Sequence, residues 1–104
     1  MLLVVDVGNT QTHLGTFEGA ELVEHWRFAT VRTSTADELG AALRALLALR
    51  GLSFSDLDAS IVSSTVPQLR PEWKAMASRY LGHEMPAVGP GVRTGMPLRF
   101  WLRM

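Results

Sequence analysis

Residues 6–10 form the segment whose residue types and spacing are best suited to chemistry. The segment reads Asp-Val-Gly-Asn-Thr and follows a short aliphatic run at residues 2–5. An acid at the end of a buried strand can hold Mg²⁺ directly or through water. Gly8 can adopt a positive φ or let a phosphate approach the backbone closely, and Asn9 and Thr10 add side-chain donors. We therefore predict a phosphate-binding turn, although an ordinary hairpin turn uses the same residue types.

Other candidate sites have weaker patterns. Residues 6–10 do not form a P-loop, because no lysine follows and the next element is predicted to be a strand. The glycines of residues 89–95 lack dinucleotide-loop spacing. The histidines lack metal-ligand spacing, and the absence of cysteine excludes disulfides, thiolate metal sites and cysteine nucleophiles. For Ser63, Ser64 and Thr65 we expect turn and cap roles.

Composition narrows the class of protein further. The chain has 104 residues, of which 47% are hydrophobic, so we expect one small globular domain rather than a disordered chain. Ten basic residues balance ten acidic ones, which argues against a nucleic-acid partner. The aliphatic run is too short to cross a membrane and has no basic segment before it. We therefore predict a cytoplasmic α/β protein with no membrane partner.

The elements that would position the turn are predicted from hydrophobic periodicity. Three strands joined by tight turns form an antiparallel meander at residues 2–5, 12–17 and 22–29, with Leu22, Trp26 and Phe28 sharing one face.

Two helices and two further strands complete the predicted order βββαβαβ. A capping-box pattern at Thr35 and Glu38 begins the first helix. A strand at residues 60–63, a second helix at 67–82 and a strand at 84–88 follow. Connections through helices imply parallel pairs, and hence a mixed sheet.

Five segments, in this order and at this spacing, resemble the type III pantothenate kinases of the acetate and sugar kinase/Hsp70/actin superfamily. They are Leu-Val-Val-Asp-Val-Gly-Asn-Thr at 3–10, Trp-Arg-Phe-Ala-Thr at 26–30, Thr-Ala-Asp-Glu at 35–38, Ile-Val-Ser-Ser-Thr-Val-Pro at 61–67 and Gly-Val-Arg-Thr-Gly at 91–95. The resemblance covers residues 1–99. It implies a ribonuclease-H-like (actin-like ATPase) domain, the first of the family's two, followed by a divergent tail at 100–104 with the second domain absent.

The resemblance also implies an activity, the ATP-dependent phosphorylation of pantothenate to 4′-phosphopantothenate, the first step of coenzyme A biosynthesis. The residues implied to bind the ATP phosphates are Asp6, Gly8, Asn9, Thr10 and Thr12. Asp6 would also hold Mg²⁺ through water, and Phe100 stands at the family's substrate-binding tyrosine position. A monovalent cation (K⁺ or NH₄⁺) and a homodimer belong to the full-length family.

The family's general base would lie beyond residue 104. All ten acids lie at or before Glu84, so the chain resembles a truncated or frameshifted product. The acids for which we expect cap or solvated roles are Asp37, Glu38, Asp56, Asp58 and Glu72. Two alternatives stay open, a non-enzymatic half-domain that binds nucleotide or a partner, and a regulatory accessory-factor relative. A Gly-Ala-Asp-Arg motif downstream in another reading frame would identify an interrupted kinase gene.

We predict that the 104-residue chain alone has no measurable pantothenate kinase activity and self-associates. Loss of a general base costs about 10²–10⁴-fold in rate. Loss of half the ATP cleft removes positioning worth roughly 7–11 kcal/mol. Leu98, Phe100, Trp101 and Leu102 would favour association. An assay of phosphopantothenate formation with ATP and Mg²⁺, run with light scattering, tests both points, and robust turnover by a monodisperse monomer would contradict them.

Overall fold

The computed structural model describes residues 1–88, in which a five-stranded mixed sheet is the central element. The strands are β1 (Leu2–Val7), β2 (Gln11–Glu18), β3 (Glu21–Ala29), β4 (Ala59–Ser64) and β5 (Ala87–Val88), in the order β3-β2-β1-β4-β5. The first three are antiparallel, whereas β4 is parallel to both β1 and β5. The predicted meander and mixed sheet are therefore confirmed. The predictions for residues 91–95, Phe100 and the tail at 100–104 lie outside the described residues.

Two helices, α1 (Ala36–Ala48) and α2 (Arg70–Met76), cover one face of the sheet. Leu39, Leu43 and Leu47 of α1 and Trp73 of α2 are buried there against β1, β2 and β4. Full burial of a leucine contributes about 1.5–3 kcal/mol, so this face holds the main stabilising core. The predicted order βββαβαβ is confirmed. No helix within residues 1–88 is long and apolar enough to cross a membrane.

The first turn of α1 is closed by three side chains. The predicted capping box is confirmed, because the Glu38 N–H donates to Thr35 Oγ1 (3.2 Å) and the Thr35 N–H donates to Glu38 Oε1 (2.9 Å). The Ala36 N–H donates to Glu72 Oε1 of α2 at 2.9 Å. These bonds use the amides that a helix start would otherwise offer to an anion. The start of α1 therefore offers an anion fewer free amides than an uncapped helix would.

The predicted helical segment at residues 67–82 is present and ends at Gly82, but it is not α-helical throughout. A 3₁₀ turn (Pro67–Leu69) precedes α2, and a π-helical turn (Ala77–Leu81) follows it. The wider turn places the Tyr80 ring against Gly40 of α1, where a Cβ would lie 2.9 Å from the ring. A contact between helices therefore determines this geometry, and the residue pattern of one helix does not contain it. The fifth strand is also shorter than predicted, since it begins after Pro86.

The prediction that Leu22 shares a face with Trp26 and Phe28 is wrong. The register of β2 and β3 shifts between Thr16 and Phe17, where β3 has one extra residue. An extra residue reverses the faces of the side chains beyond it. Leu22 accordingly packs on the face away from the helices, and Trp26 and Phe28 pack against the helix-covered core.

Thr30, directly after β3, ties this strand to the turn that follows β1. Its N–H donates to the Thr10 carbonyl (2.9 Å), and its hydroxyl donates to the Gly8 carbonyl (2.8 Å). The Thr30 and Thr12 hydroxyl oxygens lie 2.9 Å apart. A hydroxyl has one proton, and Thr30 gives its own to Gly8, so Thr12 is the donor in this pair. These hydrogen bonds, from Thr12 to Thr30 and from Thr30 to Gly8, thus hold the turn on the helix-covered face of the sheet.

We predict that Thr30→Val destabilises the protein by about 1–3 kcal/mol, because the buried Thr12 hydroxyl then has no acceptor within residues 1–88. Thr30→Ser keeps both bonds and should remain near wild-type stability. Urea denaturation measures the difference.

A double variant, Thr12→Val/Thr30→Val, provides the control for this prediction. The double variant removes the Thr12 hydroxyl that Thr30→Val leaves without an acceptor. Its loss of stability should therefore be smaller than the sum of the two single losses. Strict additivity, or a Thr30→Val variant as stable as wild type, would show that the hydroxyl chain contributes nothing to the fold.

Candidate functional site

Three chain segments meet at one edge of the sheet. β1 and β4 are parallel, and β3 runs in the direction of β1 because both are antiparallel to β2. Their carboxyl ends therefore lie at the same edge, which is where ligands bind in open α/β sheets. The segments that follow the strands are residues 8–10, residues 30–35 and Thr65. The predicted phosphate turn is the first of these.

Close packing explains the glycine in the turn. The Gly8 N–H donates to the Gln11 carbonyl at 2.9 Å, and a Cβ on residue 8 would lie 3.0 Å from that oxygen. The positive-φ explanation does not apply, because Gly8 is not among the glycines with positive φ in residues 1–88. Asn9 and Thr10 are exposed at the tip of the turn. The turn therefore presents the side chains of Asn9 and Thr10 at the surface, where they can donate to an anion.

Asp6 lies on the sheet face away from the helices. Its neighbours Val5 and Val7 are buried in the helix-covered core, so the alternation of β1 directs the Asp6 side chain to the opposite face. Asp6 is half-buried, and its register partners are His13 on β2 and Ser63 on β4. The carboxylate therefore stands one residue before the end of the central strand, close to the turn.

His13 is the titratable group directly across from Asp6. Burial lowers the pKa of the His13 imidazole, and the positive charge of Arg27 and the neighbouring His25 act in the same direction. The Asp6 carboxylate raises the His13 pKa, but its influence is smaller than that of burial. The imidazole is therefore mostly neutral near pH 7, and His13 does not place a full positive charge opposite Asp6.

Thr12 lies on the other face. It pairs with Val7 and is 2% exposed, and its hydroxyl is bonded to Thr30. Asp6 and Thr12, which the resemblance assigns to one phosphate site, therefore lie on opposite faces with the turn between them. Thr12 acts on the turn through Thr30, whereas Asn9 and Thr10 present their side chains at the surface.

Arg32 belongs to this edge and was not identified from the sequence. Its Nη2 donates to Oδ1 of Asn9 at 3.2 Å. A single arginine in a polar loop has no spacing signal of its own. The fold brings Arg32 close to the turn. The Thr30 N–H bonds to the Thr10 carbonyl and so holds residues 30–35 beside residues 8–10.

Ser64, at the end of β4, has the predicted turn role, whereas the 3₁₀ turn that follows has no side-chain cap bond. The Ser64 hydroxyl donates to the Val66 carbonyl (2.8 Å) and accepts from the Val66 N–H (2.9 Å). The Thr65 N–H and hydroxyl both donate to the Val7 carbonyl, at 3.0 and 3.2 Å. These bonds close the end of β4 onto the end of β1, beside the turn.

The acids predicted to be caps or solvated residues are confirmed as such, and they are Asp37, Glu38, Asp56, Asp58 and Glu72. Asp56 accepts from the Ser53 N–H at 2.9 Å, and Asp37 accepts from Arg79 at 3.1 Å. Across residues 1–88, no three histidine, aspartate or glutamate side chains are grouped to hold a metal ion.

Solved structures share this architecture. A candidate N-acetylglucosamine kinase from Porphyromonas gingivalis superposes with a TM-score of 0.64 over 86% of this chain and 34% of its own, at 20% identity. Thermus thermophilus RuvC gives a TM-score of 0.51 over 86% of this chain and 61% of its own, at 21% identity. At these identities the likeness shows the fold alone, which is ribonuclease-H-like as predicted.

Sequence comparison is more specific. A type III pantothenate kinase from Moorella thermoacetica is 47% identical over 100 residues, which are 96% of this chain and 39% of that protein. One from Rubrobacter xylanophilus is 50% identical, over 96% of this chain and 38% of its own length. The chain thus spans about 39% of the length of the curated relatives it matches. The family model for type III pantothenate kinases matches residues 2–101, and the chain therefore belongs to the type III pantothenate kinase family.

Proposed function

We propose that this chain forms the ATP phosphate-binding part of a kinase that transfers the γ-phosphoryl group of ATP to pantothenate. The product would be 4′-phosphopantothenate, in the first step of coenzyme A biosynthesis. One observation carries the proposal: the turn at residues 8–10 is packed through Gly8 onto the Gln11 carbonyl at the carboxyl end of the central strand, directly beyond Asp6. Family membership supplies the reaction.

Phosphoryl transfer depends on positioning and on stabilising charge, with little covalent chemistry for the protein to perform. In this proposal, donors of Asn9 and Thr10 bind the β- and γ-phosphate oxygens. The bonds of Gly8 to Gln11 and to Thr30 hold the turn in shape before ATP arrives. A turn that is already ordered loses less conformational entropy on binding, so more of the contact energy remains as affinity.

Asp6 fits the Mg²⁺ that accompanies ATP. Its oxygens are the hard ligands that Mg²⁺ prefers, and Mg²⁺ is commonly held by one or two carboxylates together with substrate phosphates and water. The lack of a three-residue metal cluster within residues 1–88 agrees with such a shared site. When bound, Mg²⁺ neutralises negative charge on the phosphates. The half-buried position of Asp6 keeps its carboxylate next to the turn.

Other parts of the predicted function rest on the family resemblance alone. Phe100, at the position of the family's substrate-binding tyrosine, lies outside the described residues. The monovalent cation, the homodimer and the cytoplasmic location likewise stay predictions. Nucleotide binding is the part of the function that residues 1–88 can carry by themselves.

We predict that Asp6→Asn weakens binding of Mg²⁺–ATP roughly 10- to 100-fold and abolishes the dependence of binding on Mg²⁺. The amide keeps the size of the side chain but loses the charge that attracts the cation. A ³¹P NMR titration of the 104-residue chain, with and without Mg²⁺, measures both effects. Asp58→Asn is the matched control, because Asp58 precedes β4 at the opposite edge of the sheet and should leave nucleotide binding unchanged.

Equal Mg²⁺–ATP affinity of Asp6→Asn and wild type would refute the role of Asp6. The reaction itself is tested by joining residues 1–88 to the remaining part of the Moorella thermoacetica relative and following phosphopantothenate formation. We expect activity that falls by orders of magnitude with Asp6→Asn. A hybrid that binds ATP without phosphorylating pantothenate would exclude this substrate, and a hybrid that binds no nucleotide would favour the accessory-factor alternative.

A further inference from the structure

Arg32 makes a contact with the phosphate turn that the proposed function does not use. It lies in the loop between β3 and α1, is exposed, and donates from Nη2 to Oδ1 of Asn9 at 3.2 Å. The two residues are 23 positions apart in sequence. The contact therefore depends on the fold and is not a local turn interaction.

The loop that carries Arg32 is anchored on both sides of this residue. Before it, the Thr30 N–H donates to the Thr10 carbonyl at 2.9 Å. After it, the Ser34 N–H donates to the Val31 carbonyl at 3.0 Å, and Thr35 caps α1. These bonds keep the Arg32 backbone beside the turn, within reach of Asn9.

The bond to Arg32 determines which way the Asn9 amide faces. A side-chain amide has an acceptor oxygen and a donor nitrogen, and an arginine can only donate. With Oδ1 held by Arg32, the NH₂ group of Asn9 is the part that remains to donate to a ligand. The opposite orientation would direct the amide oxygen at an anion and repel it.

The positive charge of Arg32 also favours an anionic ligand. Arg32 has five N–H donors, and its bond to Asn9 uses one of them. Within residues 1–88, it is the exposed cationic side chain that is hydrogen-bonded to the turn. Arginine binds phosphate in a fixed, forked geometry that lysine cannot reproduce.

We propose that Arg32 is a positioning and anion-binding residue of the phosphate turn, which holds the Asn9 amide with its NH₂ group toward a polyphosphate and offers its own guanidinium to the terminal phosphate. The proposal rests on the proposed function, because it requires that the turn at residues 8–10 bind phosphate. It adds a contact from the β3–α1 loop to a site otherwise built from β1 and its turn.

The experiment compares Arg32→Ala, Asn9→Ala and the double variant of the 104-residue chain, with Mg²⁺–ATP, inorganic tripolyphosphate and inorganic phosphate as probes. We expect Asn9→Ala to weaken tripolyphosphate binding roughly tenfold and Arg32→Ala to weaken it further, because Arg32→Ala also removes the guanidinium contact. The double variant should bind scarcely more weakly than Arg32→Ala, because Asn9 acts in the orientation that Arg32 gives it. The loss with Arg32→Ala should decrease from tripolyphosphate to inorganic phosphate, as the charge of the ligand falls.

Two further variants separate geometry from charge and from the fold. Arg32→Lys keeps the positive charge but loses the forked donor geometry of the guanidinium. It should therefore recover part of the affinity that Arg32→Ala loses, without the non-additivity with Asn9→Ala. Arg44→Ala removes an exposed arginine of α1 and should bind every probe as wild type does. Urea denaturation of Arg32→Ala should match that of wild type, since the lost bond is exposed.

The outcomes distinguish this inference from the proposed function. If wild type binds Mg²⁺–ATP and Arg32→Ala binds it equally well, the inference is wrong and the nucleotide site stands. If wild type binds tripolyphosphate through Arg32 but does not bind ATP, the inference stands and the nucleotide is wrong. Additive losses in the double variant would reject the positioning role, and a wild-type chain that binds none of the probes would reject both proposals.

Discussion

Pairing of β1 on both of its sides is the constraint on which the rest of the structure depends. β2 lies antiparallel on one side and β4 parallel on the other, so the sheet uses the backbone groups of β1 along its length. Only the end of the strand is then available to a ligand. The parallel partner also requires a connection that crosses the sheet, and α1 provides it. The same pairing therefore creates the helix-covered core and places the turn at the end of the most firmly held strand.

Much of this arrangement could be predicted because it is encoded locally. The aliphatic run before Asp6 favours a buried strand because it is short and turn residues follow it, and the capping box at Thr35 and Glu38 marks a helix start without reference to the remaining chain. Polar residues beyond a buried strand indicate a site because burying them unpaired would be costly. For the same reason, the sequence identified Asp6 and the turn as the place where chemistry could occur.

The features that were missed arise from contacts between elements. The register shift beside Phe17 is a property of two paired strands, and it moved Leu22 to the face opposite to the predicted one. The π-helical turn follows the packing of Tyr80 on Gly40, which lie 40 residues apart in separate helices. Arg32 reaches Asn9 only once β3 has paired with β2. Residue types alone contain none of these distances.

The turn lies at the end of β1, and residues on the two faces of the sheet have different roles in it. On the helix face, Thr12 and Thr30 determine the shape of the turn through bonds that are also part of the folded core. In the proposed site, Asp6 on the other face supplies charge, and Arg32 at the rim supplies charge and orients Asn9. Substitutions on the helix face should therefore change stability and ligand binding together, whereas Arg32→Ala, at the exposed rim, should change binding alone.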